Sequence, residues 1–114
     1  MPVTRIDDQI ANNGDWQRSF VFEDADTGQP ISLSGAYVEL EIRDQNNCRY
    51  LSATTDNGML TISADGTVNL KMPALDIKRL RQGEYPIGMF YQLNGDTVSL
   101  FVGTLSVVDG VARP

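Results

Sequence analysis

The chain has 114 residues, with nine Lys and Arg against fifteen Asp and Glu, no His and one Cys. That length holds one domain with one core, spanning residues 1–114, and 41% hydrophobic with 21% charged residues is too apolar for disorder. A net charge of −6 repels phosphate backbones and argues against nucleic acid as a partner, while no window approaches the roughly 18 consecutive apolar residues of a membrane span.

In chain order, the opening MPVTRIDDQIANNGDW has no apolar core and carries acids early, so it does not read as a signal peptide. Met1 to Thr4 and Ala112 to Pro114 are expected to be loose ends. From Gln17 to Glu23, Phe20 and Phe22 fall on one face with Arg18, and polar residues dominate the other, the alternation of a half-buried strand. An acidic turn follows, Glu23-Asp24-Ala25-Asp26-Thr27-Gly28, ended by Pro30. Val38, Leu40 and Ile42 then alternate cleanly with Glu39, Glu41 and Arg43, which predicts a second strand. Arg49 to Thr54 is a weaker strand. Met59–Ile62 and Thr67–Met72 flank Ser63 to Gly66 as a hairpin.

Pro73 to Gln82, PALDIKRLRQ, is the one helical segment. Pro73 suits the first turn, Ala74, Ile77 and Leu80 recur at helical spacing, and Gly83 sits at the C-cap position. Glu84–Leu93 and Thr97–Val102 flank Asn94-Gly95-Asp96, a strong hairpin signal. Leu105 and Val107 continue the last strand after Gly103, where a bend or bulge is expected. Seven or eight short antiparallel strands with even turn spacing predict an all-β sandwich or small barrel with one short helix, about residues 73–82.

Chemistry is sparse. A catalytic triad needs a base and there is no His; zinc needs His and Cys clusters and Cys48 is alone. Cys48 reads as a half-buried strand or loop thiol. Neither GxxxxGK[ST] nor GxGxxG occurs. Asp24 and Asp26 have the spacing of calcium-loop positions one and three, but Gly28 and Gly35 fall where the later ligands belong. They are weak metal candidates only, and the turn reading accounts for them. Asp7 and Asp8 point apart, and Glu39 with Glu41 read as a solvated strand face. The basic run Lys78, Arg79, Arg81 reads as a solvated helix end. Phe90 and Tyr91 must face opposite sides of their strand. With Phe101, placed opposite the Leu100/Val102 face, they are the candidate interface aromatics. No catalytic residue and no cofactor is expected.

The order of features resembles a family of small tail- or baseplate-associated proteins of tailed bacteriophages and prophages. The resemblance rests on Gly14-Asp15, Phe20/Phe22, Asp24 to Pro30, Leu33-Ser34-Gly35 and Val38 to Arg43. Gly83-Glu84-Tyr85 resembles the family's G-x-Y strand start, and VGTLSVVDGVARP its closing segment, with Ala112 where Thr is usual. It runs from about Gly14 to Pro114, and its motifs are structural. It implies an immunoglobulin-like, antiparallel β-sandwich. It also implies a non-catalytic virion component, made in the bacterial cytoplasm, that contacts other tail or baseplate proteins and can form homo-oligomers. Tyr85-Pro86 departs from the pattern and argues for an edge strand there. The competing expectation is a small carbohydrate-binding or calcium-dependent β-sandwich module.

Overall fold

The computed structural model describes residues 4–23, 28–29, 31, 33, 35–44, 46, 48–63 and 67–110. Among them are nine strands and one short helix: β1 Thr4–Arg5, β2 Asp8–Ala11, β3 Trp16–Phe20, β4 Tyr37–Arg43, β5 Arg49–Thr54, β6 Leu60–Ile62, β7 Val68–Met72, α1 Ala74–Ile77, β8 Gly83–Leu93 and β9 Asp96–Val108. The larger sheet runs β1-β9-β8-β4-β5, with β2 following β1 along the same edge of β9. The smaller runs β3-β7-β6. Apolar residues of both sheets share one core, including Trp16, Phe20, Val38, Leu40, Ile42, Val68, Leu70, Met72 and Phe101. The fold is therefore an all-β sandwich, as the alternating runs predict. It agrees with an immunoglobulin-like architecture at the level of two packed, mainly antiparallel sheets.

The sheets are not wholly antiparallel. β1 and β2 both pair parallel to β9, in one continuous register that sets Thr4 beside Phe101 and Ala11 beside Val108. A parallel pair needs a long connection, and here the connection is nearly the whole domain. Between the two strands the Ile6 amide donates to the Val102 carbonyl (2.9 Å), and the Thr104 amide donates to Asp7 Oδ1 (2.9 Å). The Ile6 carbonyl oxygen lies so close to Gly103 that any Cβ there would overlap it. The chain after β1 thus passes close against Gly103, and the β8–β9 register runs through Gly103 without a bulge.

The bend in β9 comes earlier. Met89 pairs with Phe101 but Phe90 with Ser99, so Leu100 is an extra residue. This β-bulge reverses the alternation, and Leu100 and Phe101 both turn inward while Val102 turns out. At the tip, Asn94 and Gly95 both have positive φ, 55° and 86°, as a type I′ hairpin requires.

β8 is interior, so the edge expected from Pro86 is not found. The β4 ladder with β8 ends at Ile42 and Ile87. The Thr104 amide opposite Pro86 is spent on Asp7. Pro86 therefore interrupts no bond on the β9 side and lies just beyond the last rung on the β4 side.

The helix is shorter than 73–82. Only Ala74–Ile77 is helical, and tighter turns carry the chain to Leu80, whose amide donates to the Ile77 carbonyl (2.9 Å). Asp15 Oδ1 accepts the Ala74 amide (2.7 Å). Three successive carbonyls at its exit are satisfied from different parts of the fold. Arg79 O accepts the Tyr50 hydroxyl (2.8 Å), Leu80 O accepts Asn12 Nδ2 (3.1 Å), and Arg81 O accepts the Tyr85 hydroxyl (2.7 Å). Asn12 Oδ1 also accepts the Gly110 amide (2.8 Å).

The chain passes from one sheet to the other through the turn after β5. There Asn57 Oδ1 accepts the amides of Thr54 and Met59 (both 3.0 Å), and Asn57 Nδ2 donates to Ser52 O (3.1 Å). On the opposite side of the sandwich Asp8 Oδ2 accepts Trp16 Nε1 (3.0 Å) and pairs with Arg18 (3.0 Å), tying β2 to β3.

Candidate functional site

Alternation puts Val38, Leu40 and Ile42 of β4 in the core and turns Tyr37, Glu39, Glu41 and Arg43 to the outer face of the larger sheet. These four do not form a simple solvated row. Glu39 is only 7% exposed. It sits between Phe90 of β8 and Thr54 of β5, its partners across the ladder. Tyr37 donates its hydroxyl to Glu39 Oε1 (2.6 Å), while Nε and Nη2 of Arg43 both donate to Glu41 Oε2 (3.1 and 2.7 Å). Arg49 reaches Glu41 Oε1 (3.2 Å) and, more distantly, Glu39 Oε2 (4.0 Å).

The electrostatics follow from this packing. Burial, then a hydrogen bond with Glu41, pushes the Glu39 carboxyl above its usual range. The same hydrogen bond holds Glu41 below it, helped by Arg43 and opposed by burial. The two carboxyls titrate together, with Glu39 pushed up and Glu41 held down. Donation to Glu39, then burial, pushes the Tyr37 hydroxyl up to about 12.

Beside this network the outer face dips. Gly88 has no side chain, and around it Pro86, Phe90, Val102, Glu41, Arg43 and Arg5 enclose a shallow depression of about 340 Å³. Val102, 46% exposed, stands beside Gly88 on the next strand. The depression opens broadly to solvent and its wall is mainly apolar with an ion-paired margin, so it suits contact with another surface better than enclosure of a reacting molecule.

Of the candidate interface aromatics, Phe90 and Tyr91 do face opposite sides. Phe90 lies on the outer face, its ring 6.4 Å from that of Tyr37. Tyr91 packs part-buried against the core. Phe101 is a correction. It is 0% exposed and its ring stacks on Phe20 (5.3 Å) and Phe22 (6.2 Å). The bulge at Leu100 turns it inward and leaves Val102 as the outward residue, a signal that strict alternation does not carry. Asp24 and Asp26 lie outside the described residues. Among the described residues no group of three or more His, Cys, Asp or Glu side chains could hold a metal ion, and no helix is long and apolar enough to cross a membrane.

Two further expectations change. Cys48 is exposed, in the loop before β5. Arg79 of the basic run is not simply solvated, since its guanidinium lies over the Tyr50 ring at 5.9 Å. The carboxyl pair was missed because two Glu at alternate positions usually mark a wet strand face. The useful signal was Tyr37 and Arg43 on that same face, a donor at each end of the acidic pair.

No family model matches the chain, and no curated protein matches it in sequence.

Proposed function

We propose that this protein is a non-catalytic assembly component of a tailed phage or prophage particle, working through protein–protein contacts in the tail or baseplate. The sequence resemblance from Gly14 to Pro114 supports the setting. The observation that carries the contact role is the outer face of the larger sheet. The charges around its centre are already paired within the chain, so covering that centre buries no unpaired charge. Its centre offers exposed Val102 and the Phe90 edge around a depression that lacks a side chain. Such a mixture of apolar centre and satisfied polar surround is what protein interfaces use.

The test is quantitative mass spectrometry of particles purified after induction of a lysogen carrying the gene. The chain should be present at a fixed ratio to known tail proteins. Its absence from intact particles, with the protein detected in the cell, would refute the proposal.

A further inference from the structure

The outer face of the larger sheet has an internal symmetry. Across the strands, the register places Arg5 on β1, Val102 on β9, Gly88 on β8 and Glu41 on β4 in one row. That row reads cation, protruding side chain, missing side chain, anion. One step along, Asp7, between β1 and β2, lies beside Thr104, which pairs with Pro86, and Arg43 is the β4 residue just past the last rung with β8. This row reads anion, small, small, cation. Each row is the complement of itself reversed, and the signs alternate between rows.

We infer that this face pairs with the same face of a second copy, across a two-fold axis that runs along the strands between β8 and β9. Rotation about such an axis flips the sheet over and exchanges its left and right, while each row stays at its own height. The Val102 side chain of each copy then enters the Gly88 depression of the other. Arg5 of each copy faces Glu41 of the other, and Asp7 faces Arg43. One row further, Ser106 meets Glu84, so no like charges oppose in these three rows.

The contact is isologous, made twice by one set of residues, as closed pairs require. The strands of the two sheets run in the same direction, which allows the aligned packing of stacked sheets about 10 Å apart. Strands about 4.8 Å apart put Arg5 and Glu41 roughly 14 Å from each other across one copy. The patch is therefore modest, at the small end of specific interfaces. Arg5 and Glu41 each keep an intramolecular partner, so the crossed contacts extend existing ion pairs and bury no lone charge.

This pairing rests on the reading of the chain as an assembly module, and it commits that module to self-association through one face. The test is sedimentation equilibrium with light scattering on the full chain, from about 1 μM to 1 mM. A monomer–dimer equilibrium is expected. Val102→Glu, at an exposed position, should weaken it at least about tenfold, and Arg5→Glu should weaken it too. Val21→Glu and Leu75→Glu, at positions 57% and 70% exposed and away from this face, should leave it unchanged.

A monomer across the whole range, a larger ring, or a dimer insensitive to both Val102→Glu and Arg5→Glu would overturn the pairing. Association only with a different polypeptide would also overturn it. Should Val102→Glu disturb folding by circular dichroism, Arg5→Glu alone decides. The outcomes separate from those of the particle experiment. A monomeric chain found in particles sinks the two-fold contact and leaves assembly standing. A dimer of the expected kind that is missing from particles does the reverse.

Discussion

Asn12 is the side chain whose removal should hurt the fold most for its size. It sits in the turn after β2 and is buried. Its Nδ2 donates to Leu80 O, its Oδ1 accepts the Gly110 amide, and its own amide donates to Val108 O (3.1 Å). One residue thus joins the first edge strand, the exit of the short helix and the end of β9. Asn12→Ala removes both side-chain bonds and strands a carbonyl and an N–H, each in a buried bond. A stranded buried group costs about 1–3 kcal/mol, so the pair should cost about 2–6 kcal/mol. A domain of this length unfolds with an entropy of about 0.24 kcal/mol/K, which converts that loss to a Tm drop of about 8–25 °C. Scanning calorimetry at pH 7 reads it directly. Asn12→Asp keeps the acceptor for Gly110 but turns an oxygen on Leu80 O, so it should do no better than alanine. A drop of less than about 3 °C for Asn12→Ala would refute the account of Asn12 as the clip.

Other perturbations test other parts of the fold. Glu39→Gln keeps an acceptor for the Tyr37 hydroxyl and gains a donor for Glu41. A carboxyl whose pKa is raised in the folded state supports the fold in acid and loses that support as pH rises past its folded value. The substitution should therefore stabilise at pH 7, by roughly 0.2–1 kcal/mol as like charges on a sheet face cost, and the gain should shrink toward pH 4. Melts showing the variant less stable than wild type at pH 7 would count against the upward shift of Glu39. Gly103→Ala should push the Ile6 carbonyl away and cost about 1–3 kcal/mol, read as faster hydrogen exchange of the Ile6 amide. Unchanged exchange there would contradict the close passage of the chain after β1. Calcium at about 5 mM should leave Tm unmoved. A loop binding it at 0.1–1 mM would add about 1–2 kcal/mol, and a rise of about 4 °C or more would return Asp24 and Asp26 to the centre.

The parts of the fold legible in the sequence are those set by local alternation and turn chemistry. β4, the β6/β7 pair and the β8/β9 hairpin with its Asn94-Gly95 tip all carry their own signals. What escaped depends on contacts between distant residues. Thr4 to Ala11 contains only Ile6, Ile10 and Ala11 as apolar residues, and its place is fixed by parallel pairing to a strand almost a hundred positions away. The reversal at Leu100 has no local mark, so Phe101 was assigned to the wrong face. The helix ended early because its exit carbonyls found Tyr50, Asn12 and Tyr85 instead of further helical turns. The face around Gly88 was hidden for the same reason. Neighbours such as Arg5 and Glu41 become neighbours only when the register of four strands is known.

The carboxamide of Asn57 has a wider consequence. Ser52 O and Thr54 N are two of the outward backbone groups of β5, the margin of the larger sheet, and Asn57 bonds both. An incoming strand finds those two sites occupied, which disfavours adding strand to strand at that end of the margin. Association of one edge of the sheet with the other edge of the next copy would be open-ended and would lead toward fibres. Directing contact to a broad face instead permits an association that stops at a defined size.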